Sequence, residues 1–82
     1  MILAVDIGNT NIVVGCIKGE EICFVERMST EATRTELEYA ISFKNVLEMY
    51  GISIEQLDGG IISSVVPPVT NIVKRSVEKI LN

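Results

Sequence analysis

The sequence predicts an α/β fold with elements in the order β-β-β-α-β-α and a mixed sheet of strand order 3-2-1-4. Three observations lead there. Two apolar runs, Ile2-Leu3-Ala4-Val5 and Ile12-Val13-Val14, are joined by the polar stretch Asp6–Asn11, and a Gly19-Glu20 tip then turns the chain into a third strand-like run. Helix start and stop signals bracket residues 33–51 and 67 onward, with one short apolar run between them. A strand, a crossover helix and another strand in one sheet pair in parallel with a right-handed connection, so the fourth strand falls beside the first.

Each element has its own reason. Residues 2–6 are apolar on both faces, as a central strand requires, and residues 11–18 repeat the pattern, with Gly15 as a bulge or close-approach point. Gly19-Glu20 suits a Gly-first, type II′ hairpin, and residues 21–28 return as a third strand whose Glu26 and Arg27 suit a position near an edge. Ser29–Ala32 is polar and loop-like. Thr33-Arg34-Thr35-Glu36 spells a capping box that starts a helix at Thr33, with Leu37, Ala40, Ile41, Leu47 and Tyr50 as its apolar stripe and Gly51 as its stop. A second box, Ser53–Gln56, predicts a turn of helix at 54–57. Residues 60–64 form the fourth strand, ended by Val66-Pro67-Pro68, and a proline opens the last helix, whose stripe is Val69, Ile72, Val73, Val77 and Ile80.

Composition narrows the function. The 82 residues suffice for one small domain, 48% are hydrophobic, and with no Trp and only 5% aromatics the core is built from Val, Ile and Leu. So apolar a chain, without disulfide support, is expected to present part of its apolar surface to something outside these residues. Seven basic against eleven acidic residues give a net charge of −4, and no basic run exists, which argues against nucleic acid as a partner. A polyphosphate would then be held by backbone N–H groups and a metal. No stretch approaches the ~20 apolar residues of a membrane span, and no leading positive charge marks a signal peptide, so the expected location is the cytoplasm. The hairpin register that Gly19-Glu20 implies sets Lys18 opposite Glu21, Ile17 opposite Ile22 and Cys16 opposite Cys23. In a reducing compartment the two cysteines read as small core hydrophobes.

Asp6-Ile7-Gly8-Asn9-Thr10-Asn11 is where chemistry concentrates. Asn and Gly are common in hairpin turns for steric reasons alone. A minimal turn, however, needs neither an acid at the end of a central strand nor a second Asn after the Thr. Turn N–H groups converge into anion-binding nests, Gly8 permits a tight or positive-φ turn, and a strand-end carboxylate can hold hydrated Mg²⁺ beside a phosphate. Both readings of the stretch stand on these residues.

DIGNTN after an apolar strand resembles the first phosphate-binding motif of the actin-like ATPase superfamily, which includes hexokinase-type and acetate-kinase-type enzymes. Asn9 in place of a second glycine, together with Ser63-Ser64-Val65-Val66-Pro67-Pro68-Val69-Thr70, narrows the resemblance to the amino-terminal part of the type III pantothenate kinases, also called Bvg accessory factor-like proteins. The resemblance covers essentially residues 1–82 and implies a ribonuclease H-like (actin-like ATPase) half-domain. It also implies ATP-dependent phosphorylation of pantothenate to 4′-phosphopantothenate on the route to coenzyme A, using Mg²⁺ and a monovalent cation (K⁺ or NH₄⁺), in a homodimer. Asp6 would then stand by the metal and phosphates, Ile7 and Gly8–Asn11 would wrap the ATP phosphates, and Ile12 and Val13 would complete the nucleotide-contacting segment. The SVVPP segment would shape a wall of the site.

The family's Gly-x-Asp-Arg segment, which carries its catalytic base, and its second domain are missing from these residues. Glu36, Glu38 and Asp58 sit in a helix cap and a turn, where they read as solvated surface. The expectation is therefore a truncated domain, inactive alone, that self-associates through the open edge of its fourth strand. Two alternatives accompany this reading: another actin-like kinase acting on a sugar, and a non-catalytic regulatory protein of the Bvg accessory factor type.

Overall fold

Alternation along the first strand, β1 (Ile2–Ile7), sends Leu3, Val5 and Ile7 to one side of the sheet, where all three are buried. The computed structural model describes residues 1–81. β2 (Asn11–Lys18) and β3 (Glu21–Ser29) follow as antiparallel neighbours. Helix α1 (Glu36–Met49) and a 3₁₀ turn at Ile54–Gln56 lead to β4 (Gly59–Ser64), which pairs with β1 in parallel, and α2 (Pro67–Leu81) closes the described chain. The sheet order is β3-β2-β1-β4, as the sequence predicts.

Both helices lie on the same side of the sheet. Leu3, Val5, Ile7, Ile12, Val14, Cys16 and Phe24 from the strands form one core with Tyr39, Phe43 and Leu47 of α1 and Val69, Val73, Val77 and Ile80 of α2. The stripe expected for α2 is the one observed, with Ile72 at its margin. Ser76, buried within it, donates its hydroxyl to Ile72 O (2.7 Å) and Glu36 O (2.9 Å), joining the two helices. The opposite face of the sheet is also apolar, and among the described residues no helix covers it. There Ile22, Val25 and Ile61 are 68%, 54% and 61% exposed.

Helix α1 departs from the expected stripe. Its N-cap is Thr35, not Thr33: Thr35 Oγ1 accepts the Glu38 N–H (3.2 Å) and Glu38 Oε1 accepts the Thr35 N–H (3.0 Å). The Thr-x-x-Glu pattern occurs twice in overlap, and the later copy is used. The buried face is Tyr39, Ala40, Phe43 and Leu47, while Leu37 and Ile41 face solvent. Tyr39 and Phe43 bury more surface than the aliphatic stripe would. Tyr39 also satisfies its hydroxyl, which donates to Glu31 O (2.7 Å) and accepts the Glu31 N–H (2.9 Å). Tyr50 follows the helix and lies over β3, stacked on Phe24 with ring centroids 4.5 Å apart and bonded to Glu26.

The β2–β3 hairpin also corrects one expectation. Gly19 has φ +63° and Glu20 does not share a positive φ, as a Gly-first turn requires, and Lys18–Glu21 and Ile17–Ile22 pair as expected. A bulge then intervenes. Cys16 pairs with Phe24, so Cys23 is the extra residue and lies exposed while Cys16 is buried. Both thiols are free. Burial, and then the neighbouring Cys23, push the Cys16 thiol up from its ordinary range.

Two carboxylates, one capping α1 and one holding the N-terminus, give a pH signature. The Thr35 backbone N–H holds the Glu38 carboxyl below its usual range, and the Met1 ammonium, 2.7 Å from Asp58 Oδ2, does the same for Asp58. Both values are lower folded than unfolded. The stability these groups contribute is present above their unfolded values near pH 4 and is lost as pH falls through the folded ones. Glu38→Gln and Asp58→Asn are each expected to make the acid limb of a Tm-against-pH curve shallower than in the unsubstituted protein.

Candidate functional site

The site is built at the end of β1 where the strand leaves the core. Ile7 is fully buried, and Asp6, one residue earlier, points to the opposite face and is exposed. Its neighbours on that face are Val13 of β2 and Ser63 of β4, the residues that register pairs with it. Ser63 Oγ donates to Asp6 Oδ1 at 2.8 Å. Side chains paired across adjacent strands share a face, so this contact follows directly from the β1–β4 register.

Beyond Ile7 the chain turns through Gly8–Asn11. The Gly8 N–H donates to Asn11 O at 2.9 Å. A Cβ on Gly8 would stand 3.1 Å from that same oxygen, so the glycine serves close approach. It has no positive φ, so of the tight and positive-φ turns that a glycine permits, the tight one is observed. The turn is held from outside by Thr30, whose hydroxyl donates to Gly8 O (2.8 Å) and whose N–H donates to Thr10 O (2.9 Å). Thr30 therefore takes two of the turn's carbonyls, and the Gly8 N–H takes a third. Among the described residues the exposed N–H groups of Asn9 and Thr10 have no hydrogen-bond partner and remain available to a ligand.

The second motif locks onto the same end of the sheet. The Val65 N–H donates to Ile7 O (3.1 Å), and Ser64 Oγ accepts the Val66 N–H (3.0 Å) and the Thr70 hydroxyl (2.7 Å). Helix α2 therefore begins at the carboxyl ends of the parallel pair β1 and β4. In open α/β sheets that is where ligands bind, and a helix N-terminus there favours an anion.

The expected residues separate into three groups. Asp6, Gly8, Asn9, Thr10 and Asn11 come together at the turn. Ile7 and Ile12 are buried in the core, so only their backbone reaches the site, and Val13 sits half-buried beside Asp6 on the open face. Glu38 is bound up in the α1 cap and Asp58 with the N-terminal ammonium, while Glu36 stands in the first turn of α1. Thr30 and Ser63 had no assigned role in the sequence reading. Thr30 gave no local signal, whereas Ser63 could have been found by reading the parallel register outward from β1.

Among the described residues no three His, Cys, Asp or Glu side chains cluster to hold a metal ion. Asp6 offers its carboxylate, one oxygen of which is bonded to Ser63. That donor set fits a hard cation which keeps water and phosphate oxygens as its other ligands, as Mg²⁺ does beside nucleotides. A hollow of about 230 Å³ on the open face, lined by Ala4, Asp6, Val13, Val25, Ile61 and Ser63, adjoins the carboxylate. A larger one of about 420 Å³ lies at the far end of α1, between Leu47, Glu48, Ile52 and Glu55, away from the turn.

Removing the Thr30 hydroxyl tests the clasp. Thr30→Val is expected to speed amide exchange at Gly8 and at position 30, the bonded N–H groups of the clasped turn, and to cost about 1 kcal/mol of stability by thermal or urea melt. Unchanged exchange across the turn would show the clasp to be idle.

A family model described as type III pantothenate kinase matches residues 2–82. Proteins named type III pantothenate kinase are similar over most of the chain. One from an Exiguobacterium strain is 46% identical over 69 residues, covering 84% of this chain and 27% of the relative. One from Geobacter sulfurreducens is 43% identical over 75 residues, covering 92% and 29%, and one from Brevibacillus brevis is 44% identical over 75 residues, also covering 92% and 29%. The chain thus spans less than a third of the length of the curated relatives it matches.

Proposed function

The chain belongs to the type III pantothenate kinase family, and from that premise we propose that these residues supply the phosphate-binding half of an ATP site that phosphorylates pantothenate to 4′-phosphopantothenate. The observation that carries this reading is the Gly8–Asn11 turn. Thr30 takes two of its carbonyls, and the N–H groups of Asn9 and Thr10, within four residues of Asp6, have no partner among the described residues. Phosphoryl transfer asks mainly for positioning and charge neutralisation, and a turn of neutral donors beside one carboxylate provides both in a chain of net charge −4.

In this reading the N–H groups of Asn9 and Thr10 and the side chains of Asn9, Thr10 and Asn11 bind phosphate oxygens. Asp6 holds the cation, and Gly8 keeps the turn close enough to the strand for both to act on one polyphosphate. Asp6 would hold Mg²⁺, which would supply neutralisation of the phosphate charge. A monovalent cation, K⁺ or NH₄⁺, is part of the same proposal, as are a cytoplasmic location and a homodimeric assembly. The exposed edge of β4 is proposed as the route by which the 82-residue chain self-associates.

The test pairs two polypeptides. With ATP, Mg²⁺, K⁺ and pantothenate, one of the relatives' full length that begins with these residues is expected to form 4′-phosphopantothenate. The 82-residue chain alone, which spans less than a third of the length of the curated relatives it matches, is expected to form none. Phosphorylation of a sugar but not of pantothenate by the longer polypeptide would overturn the substrate assignment.

A further inference from the structure

We propose that Ser63 is a positioning residue for Asp6: its hydroxyl sets the carboxylate in the orientation that receives the nucleotide's divalent cation. This rests on the phosphate-site reading above and extends it to a residue of the second motif.

The argument starts from the freedom of an exposed aspartate. At a strand end with no packing around it, Asp6 would spread over staggered χ1 rotamers and turn its terminal carboxylate freely. Ser63 removes that freedom. Parallel pairing puts Ser63 beside Asp6 on the same face, and its Oγ donates to Oδ1 at 2.8 Å. Among the described residues Oδ2 has no partner, so one oxygen is anchored and the other is left for a cation. A bond from a neutral hydroxyl to a carboxylate is of the stronger, charge-assisted kind, and it leaves the negative charge in place, which an Arg or Lys partner would cancel.

The backbone around Ser63 is itself tied down. Val65 donates to Ile7 O, and Ser64 accepts from Val66 and Thr70, so the serine is delivered by a braced strand end. A slip of one residue between β1 and β4 would turn Ser63 to the helix side and leave Asp6 unanchored. The braces therefore protect the pairing of carboxylate and hydroxyl.

Two measurements on the 82-residue chain and its Ser63→Ala, Ser63→Thr and Asp6→Asn variants test the proposal. The first needs no ligand: three-bond couplings about Asp6 χ1 are expected to report one rotamer in the parent chain, averaging in Ser63→Ala, and recovery in Ser63→Thr. The second compares ATP affinity with Mn²⁺ and with EDTA. The Mn²⁺-dependent gain is expected to fall on the order of tenfold in Ser63→Ala, to return in Ser63→Thr and to vanish in Asp6→Asn. Averaged Asp6 couplings in the parent chain, or a Ser63→Ala variant that keeps the full Mn²⁺-dependent gain, would overturn the role of Ser63 and leave the phosphate-site reading intact. Absence of any Mn²⁺-dependent gain in the parent chain would overturn both.

Discussion

Phe43→Ala is expected to lose about 3–5 kcal/mol of folding stability, the range for truncating a fully buried aromatic. Phe43 has no exposed surface and packs near Tyr39, with ring centroids 6.2 Å apart, in the layer between sheet and helices. A domain of this size has a total stability on the order of 4–12 kcal/mol, so the variant should be partly or wholly unfolded at ambient temperature. Urea titration followed by circular dichroism measures the loss. Leu37→Ala is the control. It lies on the stripe that sequence spacing favours, but it is 57% exposed, and it should shift stability by no more than about 0.5 kcal/mol. Equal losses in the two variants would mean that α1 is rotated from the orientation described here.

Asp6→Asn is expected to leave the fold intact and to reduce turnover, in a polypeptide of the relatives' full length, on the order of 10²–10³-fold. The asparagine has nearly the same shape and can still accept the Ser63 hydroxyl, so what is removed is the charge that holds the cation. Asp6 is exposed and makes no core contact, and the melting temperature should stay within a degree or two. Steady-state kinetics at saturating ATP and Mg²⁺ measures the effect. Turnover at the unsubstituted rate would remove Asp6 from the site.

What was legible in the sequence divides by the range of the interaction. Gly19 and Gly51 announce themselves because their positive φ values, +63° and +69°, suit only residues without a Cβ. The strands were legible as short apolar runs bounded by turn residues, and α2 as a single clean stripe. Helix α1 was misread in phase because two capping boxes overlap, and because Tyr39 reads as polar until Glu31 is seen to satisfy its hydroxyl. The Cys23 bulge left no mark in the sequence, and one extra residue there was enough to separate two cysteines expected to face each other.

The same distinction runs through the site. DIGNTN was visible because its residues are contiguous. Thr30 reaches the turn from 22 positions away and Ser63 reaches Asp6 from 57, and such contacts exist only once the sheet has set its register. The composition nonetheless anticipated one long-range feature. A chain this apolar was expected to keep oily surface for a contact elsewhere, and the open sheet face with Ile22, Val25 and Ile61 is such a surface.

The bulge in β3 gives the sheet a direction of growth. A regular edge presents evenly spaced donors and acceptors that an incoming strand can match, whereas a bulge twists that edge and breaks the spacing. Cys23 interrupts β3, the outer strand on one side, while β4 on the other runs without a break through all six of its residues in register with β1. β4 is therefore the edge whose spacing an incoming strand could match, and β3 the edge whose bulge disturbs it. The sheet has a finished margin and a receptive one, and the receptive margin ends beside Asp6.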